Sequence, residues 1–282
     1  MLNWKRALCL IFTGLCLLAI TACSQNKTEA ANQIRVGTIA GPETELMEIA
    51  KQVAAQKYNL NIKIVQFEDY TMPNEALADG SIDANAFQHL PYLQAAMKAK
   101  GYKLTVAGKT FIYPMGIYSK RITNLAQLRD GATVAIPNDP SNEARALLLL
   151  QSAKLITLKP NTDISATITD IQRNPKHLVI KEIDAAQLPR VLPDVDLATI
   201  NTNYAMVANL LPTRDALFIE NPDSPYANLI VVRAGDENKP QFQKLVAAIH
   251  SPEVLQKAQK LFQGQAIPAW DTKDSASKQA AA

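Results

Sequence analysis

Short apolar runs alternate with amphipathic stretches through most of the chain. Residues 34–39 form the first apolar run, and after Gly41 and Pro42 the apolar positions of residues 44–58 recur at helical spacing. A second apolar run, residues 62–67, completes a strand–helix–strand unit with parallel pairing. The pattern therefore predicts an α/β fold.

Further apolar runs continue this alternation to about residue 270. Amphipathic helices are predicted over residues 91–100, 142–153 and 241–262. Further strands are predicted over residues 84–87, 103–107, 111–119, 133–136, 178–183, 197–200 and 228–233.

Two extended segments, residues 111–118 and 226–233, are long enough to cross between two lobes. In that case lobe 1 contains residues 33–112 and 233–270, and lobe 2 is the inserted part, residues 113–232, which includes the crossovers. We expect a ligand cleft between the lobes, where ligands commonly bind.

The N-terminus has the pattern of a processed segment. Lys5 and Arg6 precede an apolar run over residues 7–20, which is shorter than the roughly 20 residues that span a bilayer. Residues 1–22 are therefore predicted to be a signal peptide. Residues 20–23, Ile-Thr-Ala-Cys, resemble a bacterial lipobox, in which Cys23 receives the lipid. An ordinary secretory signal with an incidental cysteine is the alternative.

The composition changes on both sides of the folded body. Residues 23–32 are polar and aperiodic, which predicts a lipidated flexible tether, and residues 271–282 predict a disordered tail. Cys9 and Cys16 lie in the removed segment, so no disulfide is expected in the body. The chain has a formal charge of only +3, which excludes a basic field for nucleic acid.

The usual motifs of catalysis and metal binding are missing from the sequence. The histidines His89, His177 and His250 are far apart, and no nucleotide-binding or serine-hydrolase motif occurs. Glu68 and Asp69 are adjacent carboxylates, but neighbours in sequence seldom aim at one point. We therefore expect a protein that is not an enzyme, without cofactor or metal.

Arg145 lies in the first turns of the predicted helix 142–153, for which Ser141 is the expected N-cap. A helix N-terminus carries partial positive charge and unsatisfied N–H groups, and arginine adds a planar fork that matches a carboxylate. A cation at this end needs a negative partner. The partner is either a ligand carboxylate or a surface acid such as Glu143.

Two asparagines lie at predicted strand ends. Asn201 follows the strand 197–200, and Asn228 opens the strand 228–233. An amide offers donors and an acceptor, so this pair could hold the amino and carboxylate groups of an amino acid. The alternative for each is a turn residue.

Aromatic residues surround the junction between the strand 84–87 and the helix that follows it. Phe87, His89 and Tyr92 lie at this junction, and Tyr70 lies in an earlier loop. Such a set could line a slot for a thioether, because sulfur contacts aromatic rings favourably. The alternative is core packing for Phe87 and a surface hydrogen bond for His89.

These residues, together with the lipobox, closely resemble the NlpA-type lipoproteins, a family that includes methionine-binding lipoproteins of ABC importers. The resemblance covers nearly the whole chain after the signal peptide, to about Trp270. The matching segments are residues 69–77, 82–89, 91–93, 134–140, 187–190 and 224–230.

The resemblance implies a two-lobed periplasmic-binding-protein fold, type II-like, whose cleft encloses one methionine without cofactor or chemistry on the ligand. It places the carboxylate at Arg145 and the polar backbone of the amino acid at Asn201 and Asn228, with Asn142 as a weaker candidate. It surrounds the thioether with Tyr70, Phe87, His89 and Tyr92.

The resemblance also implies partners and a location. L-methionine is the expected ligand, with D-methionine or methionine peptides as alternatives, and an ABC permease with its ATPase receives it. The lipid on Cys23 holds the protein to a membrane of the bacterial envelope, facing the periplasm or the exterior. A monomer is expected on other grounds, because a near-neutral monomer suits a carrier that docks transiently. A structural or adhesive lipoprotein with an empty cleft is the rival function, and a periplasmic hydrolase lacks candidate catalytic residues.

Overall fold

The computed structural model describes residues 32–221 and 225–271. The predicted signal peptide, Cys23, the tether as far as residue 31 and the tail from residue 272 lie outside the described residues. None of the described helices is both long and apolar enough to cross a bilayer.

Two sheets organise the described chain. The six-stranded sheet contains, in spatial order, β13 (Ile267–Pro268), β4 (Leu104–Ile112), β12 (Ala227–Arg233), β3 (Ala84–His89), β1 (Gln33–Ile39) and β2 (Asn61–Phe67). The five-stranded sheet contains β11 (Phe218–Ile219), β5 (Gly116–Tyr118), β10 (Leu197–Ile200), β6 (Thr133–Pro137) and β9 (Val179–Ile183). A separate pair joins β7 (Thr157–Leu158) to β8 (Ile171–Arg173).

The α-helices lie between and around these strands. They are α1 (Pro42–Tyr58), α2 (Met72–Ala78), α3 (Leu90–Lys100), α4 (Pro140–Ser152), α5 (Leu188–Val191), α6 (Thr202–Val207), α7 (Pro212–Asp215), α8 (Pro240–Ile249) and α9 (Pro252–Leu261). The first strand–helix–strand unit, β1–α1–β2, has parallel strands, so the predicted α/β class is confirmed.

Each sheet packs against apolar core residues of its own, and one further apolar cluster joins the two sheets. The cluster contains Ile39 and Phe87 from the six-stranded sheet and Tyr118 and Ile200 from the five-stranded sheet. The two lobes therefore pack against each other through this cluster. The lobe boundaries stay predictions. The sequence pattern places residues 227–232 in lobe 2, whereas in the structure β12 pairs with β3 and β4 of the six-stranded sheet.

Proline explains two differences from the predicted elements. The predicted helix 241–262 is in fact two helices, because Ser251 caps α9 and Pro252 begins it. The predicted strands 103–107 and 111–119 are instead a long strand, β4, and a short one, β5, with Pro114 between them. Proline cannot donate a ladder hydrogen bond, so it favours this interruption.

The N-cap of α4 is Asp139, and the predicted cap Ser141 is wrong. The Asp139 carboxylate accepts a hydrogen bond from the backbone N–H of Asn142 at 3.0 Å. Pro140 occupies the first helical turn, where its fixed φ and missing N–H are favourable, so the cap is the residue before it, two positions earlier than the predicted Ser141. The Ser141 hydroxyl instead donates to Asp139.

We expect Asp139→Ala to lower the free energy of unfolding by about 1 kcal/mol or more, because it removes the cap of α4. Urea unfolding of the two alanine variants at residues 139 and 141 measures the difference. Ser141→Ala is the matched control and should cost less. Equal losses would contradict the assignment of the cap.

Candidate functional site

A cavity lies between the two lobes. All eight binding residues predicted from the sequence line it: Tyr70, Phe87, His89, Tyr92, Asn142, Arg145, Asn201 and Asn228. Their roles toward a ligand stay predictions, but the fold brings the whole set together. The other lining residues are Glu43, Gln88, Tyr113, Thr202 and Asn203.

The aromatic residues form one wall of the cavity. The ring centroid of Phe87 lies 5.9 Å from that of Tyr70 and 5.7 Å from that of Tyr92. Tyr204, which sequence reasoning missed, is not a lining residue but packs its ring 4.9 Å from that of Tyr70 in the apolar cluster behind the wall. Phe87 is 4% exposed and belongs to the apolar cluster between the lobes, so it lines the cavity and also packs in the core. This wall can receive an apolar ligand group.

His89 is neutral and buried. Burial, and then the charge of Arg145, lowers the pKa of the imidazole to about 3. Its Nδ1 accepts from the backbone N–H of Tyr92 at 3.2 Å as the N-cap of α3. The proton of the neutral ring is therefore on Nε2, 3.4 Å from the Asn142 Oδ1 atom. The surface hydrogen bond considered as an alternative for His89 is not what the structure shows.

A chain of amides crosses the second lobe's side of the cavity. The Nδ2 atom of Asn142 donates to both carboxylate oxygens of Asp139, at 3.0 and 2.8 Å. This fixes its Oδ1 atom, which accepts from Nδ2 of Asn201 at 2.9 Å. The Oδ1 atom of Asn201 is buried and has no hydrogen bond within the described parts of the chain. It is an acceptor that a ligand donor can use.

Arg145 is 4% exposed and forms an ion pair with Glu220 rather than with Glu143. Its Nε donates to Oε1 of Glu220 at 2.9 Å, and its Nη2 donates to Oε2 at 2.5 Å. Nη2 also donates to the carbonyl of Tyr113 at 2.9 Å. Glu143 accepts from the backbone N–H of Ile168. These partners hold the guanidinium rigidly and leave Nη1 for a further acceptor.

The Tyr226 ring completes the environment of Arg145. The guanidinium carbon lies 4.4 Å from the centroid of this ring, within the range of a cation–π contact. The same ring lies 4.9 Å from that of His89. The cation is therefore held by a carboxylate, a carbonyl and an aromatic face, which makes it a fixed donor rather than a mobile one.

Sequence reasoning missed several of the residues that shape the site. Thr202 and Asn203 directly follow Asn201, so the polar run after β10 was a usable signal. Asn203 accepts from the Tyr70 hydroxyl at 2.7 Å, a contact between the lobes. Glu220 follows the two-residue strand β11, and no sequence pattern around it indicates a role in the site. No cluster of three or more potential metal ligands occurs in residues 32–221 and 225–271.

Comparisons with known proteins agree with this architecture. The family model described as NlpA lipoprotein matches residues 34–270. The D-methionine-binding lipoprotein MetQ of Salmonella typhi is 49% identical over 255 residues, covering 90% of this chain and 94% of that protein.

Two solved structures are also similar. A periplasmic substrate-binding protein of an ABC transporter from Coxiella burnetii is 63% identical, with a TM-score of 0.82, covering 84% of this chain and 100% of that one. A nutrient-binding protein from Burkholderia cenocepacia bound to methionine is 53% identical, with a TM-score of 0.82 and the same coverage. The predicted two-lobed α/β fold of periplasmic binding proteins is thereby confirmed.

Proposed function

The chain belongs to the NlpA lipoprotein family, and we propose that it captures methionine between its two lobes and delivers it to an ABC importer. The observation that carries the proposal is the composition of the cavity: an aromatic wall lies beside buried, oriented polar groups. An amino acid with a long apolar side chain has the same two kinds of surface. Similarity to methionine-binding lipoproteins supports this ligand.

In the proposed complex the methionine carboxylate accepts a hydrogen bond from Nη1 of Arg145. This is the guanidinium nitrogen that donates to neither Glu220 nor Tyr113. Arginine suits this role because its hydrogen bonds to a carboxylate are charge-assisted. Asn201 and Asn228 contact the polar backbone of the ligand, and Asn142 holds Asn201 in place. The thioether contacts the aromatic wall and His89.

The ligand would contact both lobes at once. Phe87 and Asn228 belong to the six-stranded sheet, whereas Asn142, Arg145 and Asn201 belong to the lobe of the five-stranded sheet. A ligand that touches both surfaces favours the closed state over the open one, because only the closed state provides both sets of contacts. The importer's permease and ATPase would receive the closed form.

The remaining parts of the proposal concern anchoring and selectivity. A signal peptide over residues 1–22 and a lipid on Cys23 would hold a monomer at the bacterial envelope. L-methionine is the proposed ligand. If the ligand is instead D-methionine or a methionine peptide, the carrier mechanism is the same and only the substrate differs. We propose no chemistry on the ligand, and the named relatives are binding proteins rather than enzymes.

Thermal unfolding of the full-length chain in detergent tests the function, after refolding to remove any bound ligand. Methionine at a hundredfold excess over its Kd should stabilise the native state by about 2.7 kcal/mol, because it binds only that state. The other amino acids, D-methionine and methionine peptides form the comparison panel. If the refolded protein shows no change in unfolding temperature with methionine or with any other ligand of the panel, the structural or adhesive role is favoured.

A further inference from the structure

Glu43 is a buried carboxyl group at the N-terminus of α1, and it lines the cavity together with Asn228. Glu43 is only 8% exposed to solvent. Oε1 accepts from Nδ2 of Asn228 at 3.2 Å, whereas Oε2 is buried and has no hydrogen-bond partner within residues 32–221 and 225–271. Most buried polar atoms in proteins have a partner, so this oxygen requires an explanation.

Among the described residues, Arg145 is the one Lys or Arg that lines either cavity beside Glu43. A second cavity shares Glu43, Tyr113 and Asn228 with the first, and its other lining residues are mainly apolar. Tyr70, Tyr113 and Tyr204 are close enough to Glu43 for a charge on either to affect the other. Burial raises the pKa of each of these three phenols, so all three are neutral. His89 is neutral too.

Arg145 lines the same cavity, but Glu220 already neutralises it. Burial of Glu43 raises the pKa of its carboxyl group to about 8, while the hydrogen bond from Asn228 opposes that shift. Below that pH the carboxyl group of the free protein is therefore mostly protonated.

Acceptor atoms accompany Glu43 on the cavity wall. Asn228 uses its Nδ2 atom on Glu43 and on the carbonyl of Phe87, at 3.2 and 3.3 Å, which leaves its Oδ1 atom as an acceptor. The Oδ1 atom of Asn201 has no hydrogen-bond partner in the part of the chain that the structure describes. An ammonium group has three donors and no acceptor. Glu43, Asn201 and Asn228 thus offer the oxygens that an α-ammonium group needs.

We propose that Glu43 is the counter-ion of the ligand's α-ammonium group, and that capture of the ligand expels a proton from this carboxyl group into solvent. The step balances without any co-reactant: a neutral carboxylic acid and an ammonium cation become an ion pair and a released proton. The inference rests on the proposed function and assigns one contact within it. It also makes Glu43 the residue that selects ligands with a free amino group.

The proposal gives the binding constant a defined pH dependence. The free protein holds the proton below the raised pKa, whereas the complex requires the ionised carboxylate, so acid opposes binding. Methionine affinity should fall about tenfold for each pH unit between about pH 7 and about pH 6, and it should level off above about pH 8. The ligand's own ammonium group stays charged over this range.

Isothermal titration calorimetry of the full-length chain in detergent tests the proposal. Titrations with L-methionine at about pH 7, in two buffers with different ionisation enthalpies, give the number of protons released. We expect close to one proton per methionine in the native protein. The Glu43→Gln variant should release no proton on binding and should bind methionine at least tenfold more weakly at about pH 8. Its methionine affinity should not change with pH below about pH 8.

Glu45→Gln is the matched control, because Glu45 lies in the same first turn but is exposed and paired with Lys257. It should behave like the native protein. Native protein that binds methionine without proton release, and with one Kd from about pH 6 to about pH 8, would overturn the proposal even if Glu43→Gln does not fold. Absence of methionine binding at every pH would instead refute the proposed function.

Discussion

Arg145→Met is expected to lower the free energy of unfolding by about 3–5 kcal/mol, because it leaves the Glu220 carboxylate without its partner. It should also abolish charge-assisted hydrogen bonds to the ligand, worth about 1.5–3 kcal/mol each, and so weaken methionine binding at least tenfold. Urea unfolding and calorimetric titration measure the two losses separately. Arg129→Met is a control: Arg129 is 63% exposed, so its pair with Asp196 should contribute about 1 kcal/mol or less.

The double variant Arg145→Met, Glu220→Leu separates folding from binding. Replacing both members of a buried ion pair by apolar residues is often neutral, so most of the lost stability should return. Methionine binding should stay weak, since Nη1 is absent. Native affinity in this stable double variant would contradict the assignment of the carboxylate to Arg145.

Phe87→Ala should cost about 3–5 kcal/mol of unfolding free energy, because it removes a buried ring from the cluster between the lobes. It should also weaken methionine binding, since the same ring forms part of the aromatic wall. Urea unfolding and methionine titration give both numbers.

Phe242→Ala is the matched control for the Phe87 variant. Phe242 is 2% exposed and lies in the core of the six-stranded sheet, outside the residues that line the cavity. Removal of the Phe242 ring should lower the free energy of unfolding by an amount similar to that of Phe87→Ala. It should leave the Kd for methionine unchanged. An equal loss of affinity in both variants would show that Phe87 acts through folding alone.

Local sequence patterns were sufficient for much of the fold. Helical spacing located α1 and α4, and apolar runs located β1 and β2, because each pattern reports which face of an element is buried. The exceptions are local too: Pro252 begins a new helix, and Asp139 precedes Pro140 as the cap. Both corrections follow from the missing N–H and the fixed φ of proline.

The electrostatics of the site depend on contacts that no local pattern encodes. Arg145 was predicted as an anion-binding residue, but its partner Glu220 comes from 75 residues further along the chain. Glu43 and Glu45 lie in the same helical turn and look alike in sequence, as acids that favour a helix N-terminus. Only the tertiary fold buries the first and exposes the second. Burial therefore decides which of them can act on a ligand.

A crystal structure of the protein grown with L-methionine tests the central claim most directly. We expect one methionine between the lobes, with its carboxylate on Nη1 of Arg145 and its thioether against Phe87 and Tyr92. Its amino group should lie among the oxygens of Asn201 and Asn228. A cavity that stays empty at saturating methionine, or a ligand bound elsewhere on the protein, would contradict the account.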